Sequence, residues 1–344
     1  MTRSLDQALL QGADVSAMAA ANLLVNGFHT VSQQYGTTAT AISLGGGYGT
    51  DQWVIQGSGT WAGTFQQVSS PFPSQPDVPN GLKVSITTAQ ATLASGDFVE
   101  VYQPLEGMNL ARLVYGGSNA KTVTLVFLIR PTIFLNGYVS LVNAGGTLRS
   151  YTSRYTAAAN TDTFVYLTIP GDVAQALTLT NATSMQVRWN FGTGATYQGA
   201  ANSWSGSNVR ASSDVTNLAA TVGNNVILSG AVMLPGVVPI TQAMLPMLAR
   251  PFDDELRKCQ RYYQTGGGVL VSAYAGGTFG GFSVSDKLIP MRAQPSFSAA
   301  NNGGSYTGTL ILGGGTQNIQ VWFGSASTAI GQYCNFTYVA NARM

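Results

Sequence analysis

Carboxylates are the main candidates for acid–base chemistry in this 344-residue sequence, which holds 14 Asp and Glu residues and only one histidine, His29. A glycosidase needs two carboxyl groups about 5–10 Å apart across the scissile bond. Asp97, Glu100 and Glu106 form one cluster. Strand alternation separates Asp97 from Glu100, which leaves Glu100 with Glu106 across an expected Pro–Leu turn. We therefore expect no enzyme, and a glycan depolymerase is the least favoured function.

The two cysteines give little metal or redox chemistry. Cys259 and Cys334 lie 75 residues apart, and a thiolate metal site needs more ligands. Cys334 alternates with Phe336 and Tyr338, so we expect it to be a small core residue. The sequence contains no compact Asp/Asn/Gly calcium loop. We predict no metal and no cofactor, and a protein made in a reducing cytosol.

Two aromatic residues, Tyr197 and Trp204, lie in a Gly-, Ser- and Asn-rich loop over residues 192–213. An indole in such a loop is unusual, because apolar transfer favours its burial. One interpretation is that Trp204 folds back on the core or meets a neighbouring subunit. The other is that Trp204 and Tyr197 form a stacking platform for a sugar ring, with loop amides binding its hydroxyls.

The composition excludes several partner classes. Charged residues make up 9% of the chain, against about 25% in ordinary soluble proteins, and the net charge is +2. This small, dispersed charge predicts no nucleic-acid partner. The sequence contains no run of 18 apolar residues, so we predict no membrane insertion. No secretory signal is visible. A hydrophobic share of 45% predicts a folded protein.

Alternating residues predict an all-β protein with two packed antiparallel sheets. Met185, Val187, Trp189 and Phe191 share one face of a strand that we expect to be half-buried. Residues 121–130 are apolar on both faces, as in a central strand. Further strands are predicted at Phe98–Gln103, Tyr138–Val142, Phe164–Ile169, Asn318–Phe323 and Tyr333–Val339.

One helix is predicted over residues 250–263, where Pro251 can open it. Asp253, Asp254 and Glu255 fill its first turn, and basic residues follow, as the helix dipole favours. We interpret the acidic triplet as capping. Cys259 and Tyr263 share one stripe and receive structural roles. We therefore predict that residues 250–265 form a connector helix. It would join a β-sandwich at residues 22–249 to a small β domain at residues 266–344.

Two apolar segments, one at the N-terminus and one before the predicted helix, indicate contacts with other parts of this chain or with other proteins. Residues 1–21 carry two short helical patterns that need a partner, in this chain or in another protein. We predict that this tail docks on a larger particle through Leu5, Leu9, Val15 and Met18. The apolar stretch Val232–Leu248, with Met233, Met244 and Met247, predicts either a subunit contact or an intramolecular core.

Spaced motifs then resemble those of bacteriophage tail-fibre and other virion proteins. Asn22–Phe28 reads N-L-L-V-N-G-F, and D-Q-W follows at Asp51–Trp53. Arg250–Leu256 and Cys259–Tyr263 resemble the segment that closes the same module. Met291–Pro295 and Tyr338–Arg343 resemble the end of its C-terminal appendix. The resemblance spans about residues 22–344.

This resemblance implies a jelly roll similar to carbohydrate-binding modules and a small C-terminal β domain. It implies a virion component, usually a homotrimer, that assembles with other virion proteins made in the bacterial cytoplasm. Asp51 would cap a turn and Trp53 would lie in the core. The expected function is host-surface glycan recognition by a tail fibre or adhesin. The alternative is a purely architectural head or neck fibre or decoration protein.

Overall fold

The structure is a computed structural model that describes residues 16–271, 284–306, 309–323 and 332–344. The chain divides into two compact units, of which the first ends at Glu255 and the second begins at Leu256. The division falls inside the segment predicted as a connector. Leu5, Leu9 and Val15, three of the predicted docking residues, lie outside the described residues.

The first unit is built mainly of strands. Residues 16–21 are helical (α1). The strands are β1 Thr40–Ala41, β2 Gly47–Tyr48, β3 Val54–Ser58, β4 Ala62–Ser69, β5 Asn80–Thr88, β6 Phe98–Glu106, β7 Val123–Pro131, β8 Leu135–Asn143, β9 Arg149–Ala157, β10 Thr163–Ile169, β11 Thr183–Thr193, β12 Trp204–Ser205 and β13 Asn225–Pro235. Short 3-10 helices occur at Gly107–Leu113, Ala195–Tyr197, Leu218–Ala220 and Gln242–Met244.

These strands form two sheets that enclose one main core. One sheet has the order β1-β4-β5-β13-β7-β10, and the other has β12-β9-β8-β11-β6-β3-β2. The pairings between named strands are antiparallel. The non-consecutive neighbours and the two facing layers make this a jelly-roll sandwich. The predicted fold class, all-β with antiparallel sheets, is confirmed.

Large aromatic side chains fill the space between the sheets. The ring centroids of Trp53 and Trp189 are 5.0 Å apart, and those of Phe127 and Trp189 are 5.7 Å apart. Phe127 also meets Tyr155 edge-on at 5.1 Å. Trp53 and Trp189 are fully buried. These tilted and edge-on contacts give interlocked packing beyond simple area burial.

Strand β11 departs from its prediction. Met185, Val187, Trp189 and Phe191 face the core as expected, but the opposite face is not solvated. Arg188 and Asn190 on that face are buried as well. The reason is that the loop from residue 205 to residue 212 crosses this face, as described below. The expectation of a half-buried strand was therefore wrong.

The apolar stretch after β13 lies largely in the core of its own chain. Val232 and Leu234 pack with Leu245 and Leu248, all buried, in a second cluster of the first unit. The short helix α2, Leu245–Leu248, carries two of these side chains. Met247 is 56% exposed. The geometry therefore favours the intramolecular alternative for most of Val232–Leu248.

Motifs distant in the sequence meet at one buried ion pair. The guanidinium of Arg250 donates to the carbonyl oxygens of Ala19 at 3.0 Å, Asn22 at 2.5 Å and Leu24 at 3.0 Å. It also contacts the Glu255 carboxylate at 3.1 Å. Both side chains are 4% exposed. Arg250 thus satisfies backbone carbonyls that lie outside any sheet.

Glu255 has a different role from the one predicted. Its Oε1 accepts a 2.7 Å hydrogen bond from the backbone N–H of Asn26. The helix α3, Phe252–Gln260, holds Asp253 and Asp254 exposed in its first turn, as capping residues would be. Glu255 instead faces inward and pairs with Arg250. The capping interpretation was therefore wrong for Glu255.

The Asp51–Trp53 motif joins the same region. Trp53 Nε1 donates to the carbonyl oxygens of Val25 at 3.1 Å and Asn26 at 2.9 Å. Asp51 is buried, and its carboxylate accepts from the backbone N–H of Gln33 at 2.9 Å. The indole therefore lies in the core while its polar edge binds the Asn22–Phe28 segment.

Glycine is required at position 27 because the backbone of β13 approaches it closely. A Cβ at this position would lie 2.1 Å from the carbonyl oxygen of Ala231, which is far inside van der Waals contact. The backbone N–H of Ala231 donates to the Gly27 carbonyl at 2.9 Å. Glycine therefore allows the N-terminal segment to lie directly on β13.

Met18 is the one predicted docking residue that the structure describes. It is partly buried and packs, with Ala21, against the Phe28 and Phe72 cluster of the first unit. The α1 segment therefore finds a partner within its own chain, one of the two partners that the sequence left open.

The second unit contains two three-stranded sheets in the described part of the chain. Its strands are β14 Tyr263–Val271, β15 Val284–Lys287, β16 Ser296–Gly304, β17 Leu310–Gly314, β18 Asn318–Phe323 and β19 Tyr333–Asn341. The sheet orders are β14-β19-β16 and β15-β18-β17. Cys334 packs with Phe336 and Leu270 in the core between them. Cys259 and Tyr263 are buried, and neither cysteine forms a disulfide.

None of the helices in the described ranges is long and apolar enough to cross a membrane.

Removing Arg250 tests the buried ion pair. Arg250→Met leaves the Glu255 charge buried without its cation and removes a donor from three carbonyls, so we expect a loss of about 3–5 kcal/mol in the free energy of unfolding. Urea denaturation followed by tryptophan fluorescence measures it. Arg257→Met, at an exposed position of the same helix, is the matched control and should change stability by less than about 0.5 kcal/mol. Equal effects of the two variants would contradict this role.

His29 should make the first unit acid-sensitive. Burial lowers the pKa of His29 to about 3, whereas an unfolded chain titrates near 6.5. Below pH 6.5 the unfolded state therefore binds a proton that the folded state does not. Stability should fall by about 1.4 kcal/mol per pH unit as the pH drops from 6.5 towards 3.

His29→Asn isolates this contribution, because asparagine tolerates the positive φ of 51° at this position. Between pH 7.5 and 5.0, the native protein should lose about 2 kcal/mol more unfolding free energy than the variant in urea titrations. Parallel losses in the two proteins would show that His29 is not the titrating group.

Candidate functional site

The loop over residues 192–213 covers the outer face of the seven-stranded sheet. Ser140 Oγ donates to the carbonyl of Arg210 at 2.7 Å, and Ser150 Oγ donates to that of Ser207 at 2.6 Å. Thr152 Oγ1 donates to the carbonyl of Val209 at 3.2 Å. The small hydroxyl residues on strands β8 and β9 thus bind the loop backbone, which explains why this sheet face is polar and yet buried.

Arg210 anchors the loop to the sheet. Its Nη1 lies 2.5 Å from Glu100 Oε2, and the two side chains are 7% and 0% exposed. Neither of these two atoms makes a hydrogen bond, so the contact is an ion pair. The guanidinium also lies 3.6 Å from the ring centroid of Phe98 and 4.5 Å from that of Tyr197. Charge pairing and cation–π stacking therefore fix the loop at one point.

The sheet beneath the loop keeps unused hydrogen-bonding capacity. Among the described residues, Glu100 Oε1 and Asn190 Oδ1 have no hydrogen-bond partner. These two residues are direct cross-strand neighbours on β6 and β11. Asn190 Nδ2 donates to Ser140 Oγ at 3.0 Å. Burial lowers the pKa of Arg188 on the same face, and the Glu100 carboxylate opposes that shift.

A pocket of about 460 Å³ opens in this loop. No lining residue carries a charge. Hydroxyl, carboxamide and small apolar groups line it, together with one indole, and the residues are Thr196, Gln198, Gly199, Ala200, Ser203, Trp204, Ser205, Ser207, Asn208 and Val209. Such a lining suits a neutral ligand with both polar groups and an apolar face.

Trp204, one of the two predicted binding residues, lines the pocket and also packs on the core. Its Nε1 donates to the carbonyl of Pro170 at 2.9 Å. Its ring meets Tyr115 edge-on at 6.0 Å and Tyr151 at a tilt at 5.7 Å. The indole is therefore held in one orientation, half-buried, with its remaining surface at the pocket.

Tyr197, the other predicted binding residue, does not line the pocket. Its ring stacks on the Arg210 guanidinium and meets Phe98 edge-on at 5.7 Å. The structure thus places the two aromatic residues in the same loop but at different contacts. Tyr197 holds Arg210, whereas Trp204 contributes to the pocket wall.

The carboxylates suspected of catalysis are not paired. Strand β6 runs without interruption from Phe98 to Glu106, so the expected Pro–Leu turn was wrong. Glu100 and Glu106 are six residues apart in this strand, which separates their Cα atoms by about 20 Å. Asp97 instead accepts hydrogen bonds from Gln90 at 2.6 Å and from the Ala94 N–H at 2.9 Å. This separation does not fit the spacing of a glycosidase pair.

No cluster of three metal-ligating side chains occurs in the described ranges.

Arg210 and Asn208 were missed in the sequence. One signal could have revealed Arg210, because it is the only charged residue between Gly192 and Ser213. A single charge in a neutral loop needs a partner if it is buried. Its partner Glu100 lies 110 positions earlier, on a strand whose face the sequence pattern alone did not assign.

Comparison with known proteins gave matches in structure only. No family model and no curated protein matches this sequence. Solved structures similar to this chain include the enzymatically active domain of bacteriophage CBA120 tailspike protein 4, at 13% identity and a TM-score of 0.36. The match covers 63% of this chain and 22% of that protein.

Two further similar structures come from proteins whose names refer to carbohydrates. The family 11 carbohydrate-binding module from Clostridium thermocellum is 10% identical, with 58% of this chain and 96% of the module covered and a TM-score of 0.30. The MgGH51 α-L-arabinofuranosidase is 13% identical, with 70% and 30% covered and a TM-score of 0.35. The chain therefore spans less than a third of the tailspike domain and of the arabinofuranosidase. The jelly-roll assignment itself rests on the strand order of this chain.

The Arg210–Glu100 pair can be tested by a double-mutant cycle. Arg210→Met leaves the Glu100 charge buried alone, and we expect it to cost about 3–5 kcal/mol of unfolding free energy. Adding Glu100→Gln removes that charge and should recover most of the loss. Urea denaturation of the single and double variants measures the recovery.

Arg154→Met is the control, because Arg154 pairs with Asp214 at the surface, where both side chains are more than 40% exposed. It should cost less than about 1 kcal/mol. A double variant as unstable as the sum of its two single variants would contradict the coupling.

Proposed function

We propose that this protein is a non-catalytic carbohydrate-binding protein displayed on a bacteriophage particle. The observation that carries the proposal is the uncharged pocket in the loop over residues 192–213, with Trp204 in its wall. A sugar ring presents an apolar face that matches an indole, and its hydroxyls match Ser, Asn and Gln side chains. The absence of charged lining favours a neutral glycan.

The virion setting is supported by the resemblance of the Asn22–Phe28, Asp51–Trp53 and Arg250–Leu256 motifs to those of virion fibres. In this proposal the N-terminal residues Leu5, Leu9 and Val15 dock on other virion proteins, and the β units face the host surface. A homotrimer would present three pockets, and multivalency would strengthen binding that is weak at each site.

A second candidate function is purely architectural, as in a head or neck fibre or a decoration protein without a receptor. One observation favours it. The Trp204 N–H is used by Pro170, and the ring packs on Tyr115 and Tyr151. An indole held in this way has a structural role whether or not a sugar binds beside it.

Trp204→Ala should weaken saturable binding of neutral host glycans at least tenfold, because it removes the apolar wall of the pocket. A glycan array followed by isothermal titration measures the effect. The glycan affinity of Trp204→Phe, which keeps an aromatic ring, should lie between those of the native protein and Trp204→Ala. Circular dichroism checks that both variants fold. Tyr166→Ala, at an exposed aromatic on strand β10, is the control and should bind normally.

The other outcomes separate the alternatives. Absence of glycan binding by the native protein, together with loss of particle incorporation on deleting residues 1–15, would support the architectural function. This deletion leaves the α1 segment and its bond to Arg250 in place. Release of reducing ends from host polysaccharide would overturn the non-catalytic proposal.

A further inference from the structure

Asn208 is held in the pocket wall with one orientation of its carboxamide. Arg188 Nη1 donates to Asn208 Oδ1 at 3.0 Å. A guanidinium can only donate, so the carboxamide oxygen must face Arg188 and the amide nitrogen must face away from it. Within the described ranges, Asn208 Nδ2 makes no hydrogen bond. The Asn208 carboxamide therefore offers the pocket a hydrogen-bond donor, Nδ2.

Gln198 is fixed in the opposite sense. Its Nε2 donates to the carbonyl oxygen of Thr193 at 2.6 Å. A carbonyl can only accept, so the Gln198 carboxamide is oriented with its nitrogen towards Thr193, where one N–H is used, and its Oε1 remains as an acceptor. The two carboxamides in the lining thus present one donor and one acceptor, and neither can exchange its role without losing an internal bond.

Apolar groups complete the lining. Ala200, Val209 and the Trp204 ring contribute to the same pocket. Val209 is buried, and its side chain packs beneath Gly199, where an added Cβ would lie 2.8 Å from Val209 Cγ2. The pocket therefore combines a fixed donor, a fixed acceptor and a rigid apolar wall.

We propose that this pocket recognises a neutral sugar that carries an acetamido group. The inference rests on the proposed carbohydrate-binding function and adds the substrate class. The acetamido carbonyl would accept from Asn208 Nδ2, its N–H would donate to Gln198 Oε1, and its methyl group would pack on the apolar wall. These three features match the lining one for one.

Other sugar classes match less well. A hydroxyl group can also donate to Gln198 Oε1 and accept from Asn208 Nδ2, but it carries no methyl group to pack on Ala200 and Val209. An acidic sugar would need a cation, and no lining residue carries one. The nearby Arg188 and Arg210 are buried, with Arg188 bonded to Gln186 and Asn208 and Arg210 paired with Glu100.

Asn208→Asp tests the donor with minimal change in shape. The new carboxylate can still accept from Arg188, but it replaces the donor with an acceptor that would face the acetamido carbonyl. Isothermal titration or saturation-transfer NMR with N-acetylglucosamine and N-acetylgalactosamine, beside glucose and galactose, measures the selectivity. We expect the native full chain to bind at least one acetamido sugar at least tenfold tighter than its parent hexose, and Asn208→Asp to lose at least tenfold in that affinity.

Asn202→Asp is the matched control, since it makes the same charge change at an exposed position of the same loop outside the lining. It should bind as the native protein does. Equal binding of acetamido and parent sugars, or normal binding by Asn208→Asp, would overturn the acetamido inference while the carbohydrate-binding proposal stands. Failure of the native protein to bind any neutral saccharide or glycan would overturn both.

Discussion

The first unit depends on one buried cation, Arg250. Its guanidinium donates to three backbone carbonyls between Ala19 and Leu24 and pairs with Glu255, which in turn accepts from Asn26. The carbonyls of this segment have no sheet ladder to bond to, and a planar group with five donors can bind several of them at one point. The segment is thereby held where the Trp53 indole can bind it. Because the carbonyls, the carboxylate and the cation satisfy one another, the loss of any one leaves polar groups buried and unpaired.

Local patterning carried much of the fold prediction. The alternation in Met185–Phe191 and the apolar run before Arg130 gave strands β11 and β7, because side-chain direction in a strand depends only on period two. Partners distant in the sequence were not predictable. Glu255 and Asn26 are 229 residues apart, so the sequence around Glu255 gave no sign of this partner. Its position in a first helical turn therefore led to the capping interpretation. In the same way, nothing near Asn190 revealed that a later loop covers it.

The sequence indicated which kinds of residue form the site, but not how they are arranged. An indole in a polar loop drew attention to Trp204, and the structure places it in the pocket wall. The same reasoning grouped Tyr197 with it, whereas Tyr197 stacks on Arg210. The suspected pairing of Glu100 with Glu106 depended on a turn at Pro104. Strand β6 continues through that residue. Pro104 pairs with Gln186 of β11, whereas the ladder with β3 ends at Tyr102, so β6 has a strand partner on one side only at Pro104, where proline is tolerated.

The fixing of Asn208 by Arg188 and of Gln198 by the Thr193 carbonyl has a thermodynamic consequence. Freezing a flexible side chain on binding costs about 0.5–1.5 kcal/mol each. Here that cost falls on folding, when the loop closes over the sheet. A molecule that enters the pocket therefore meets groups that have little rotational freedom left to lose, so the entropy of association is set chiefly by the ligand and by released water.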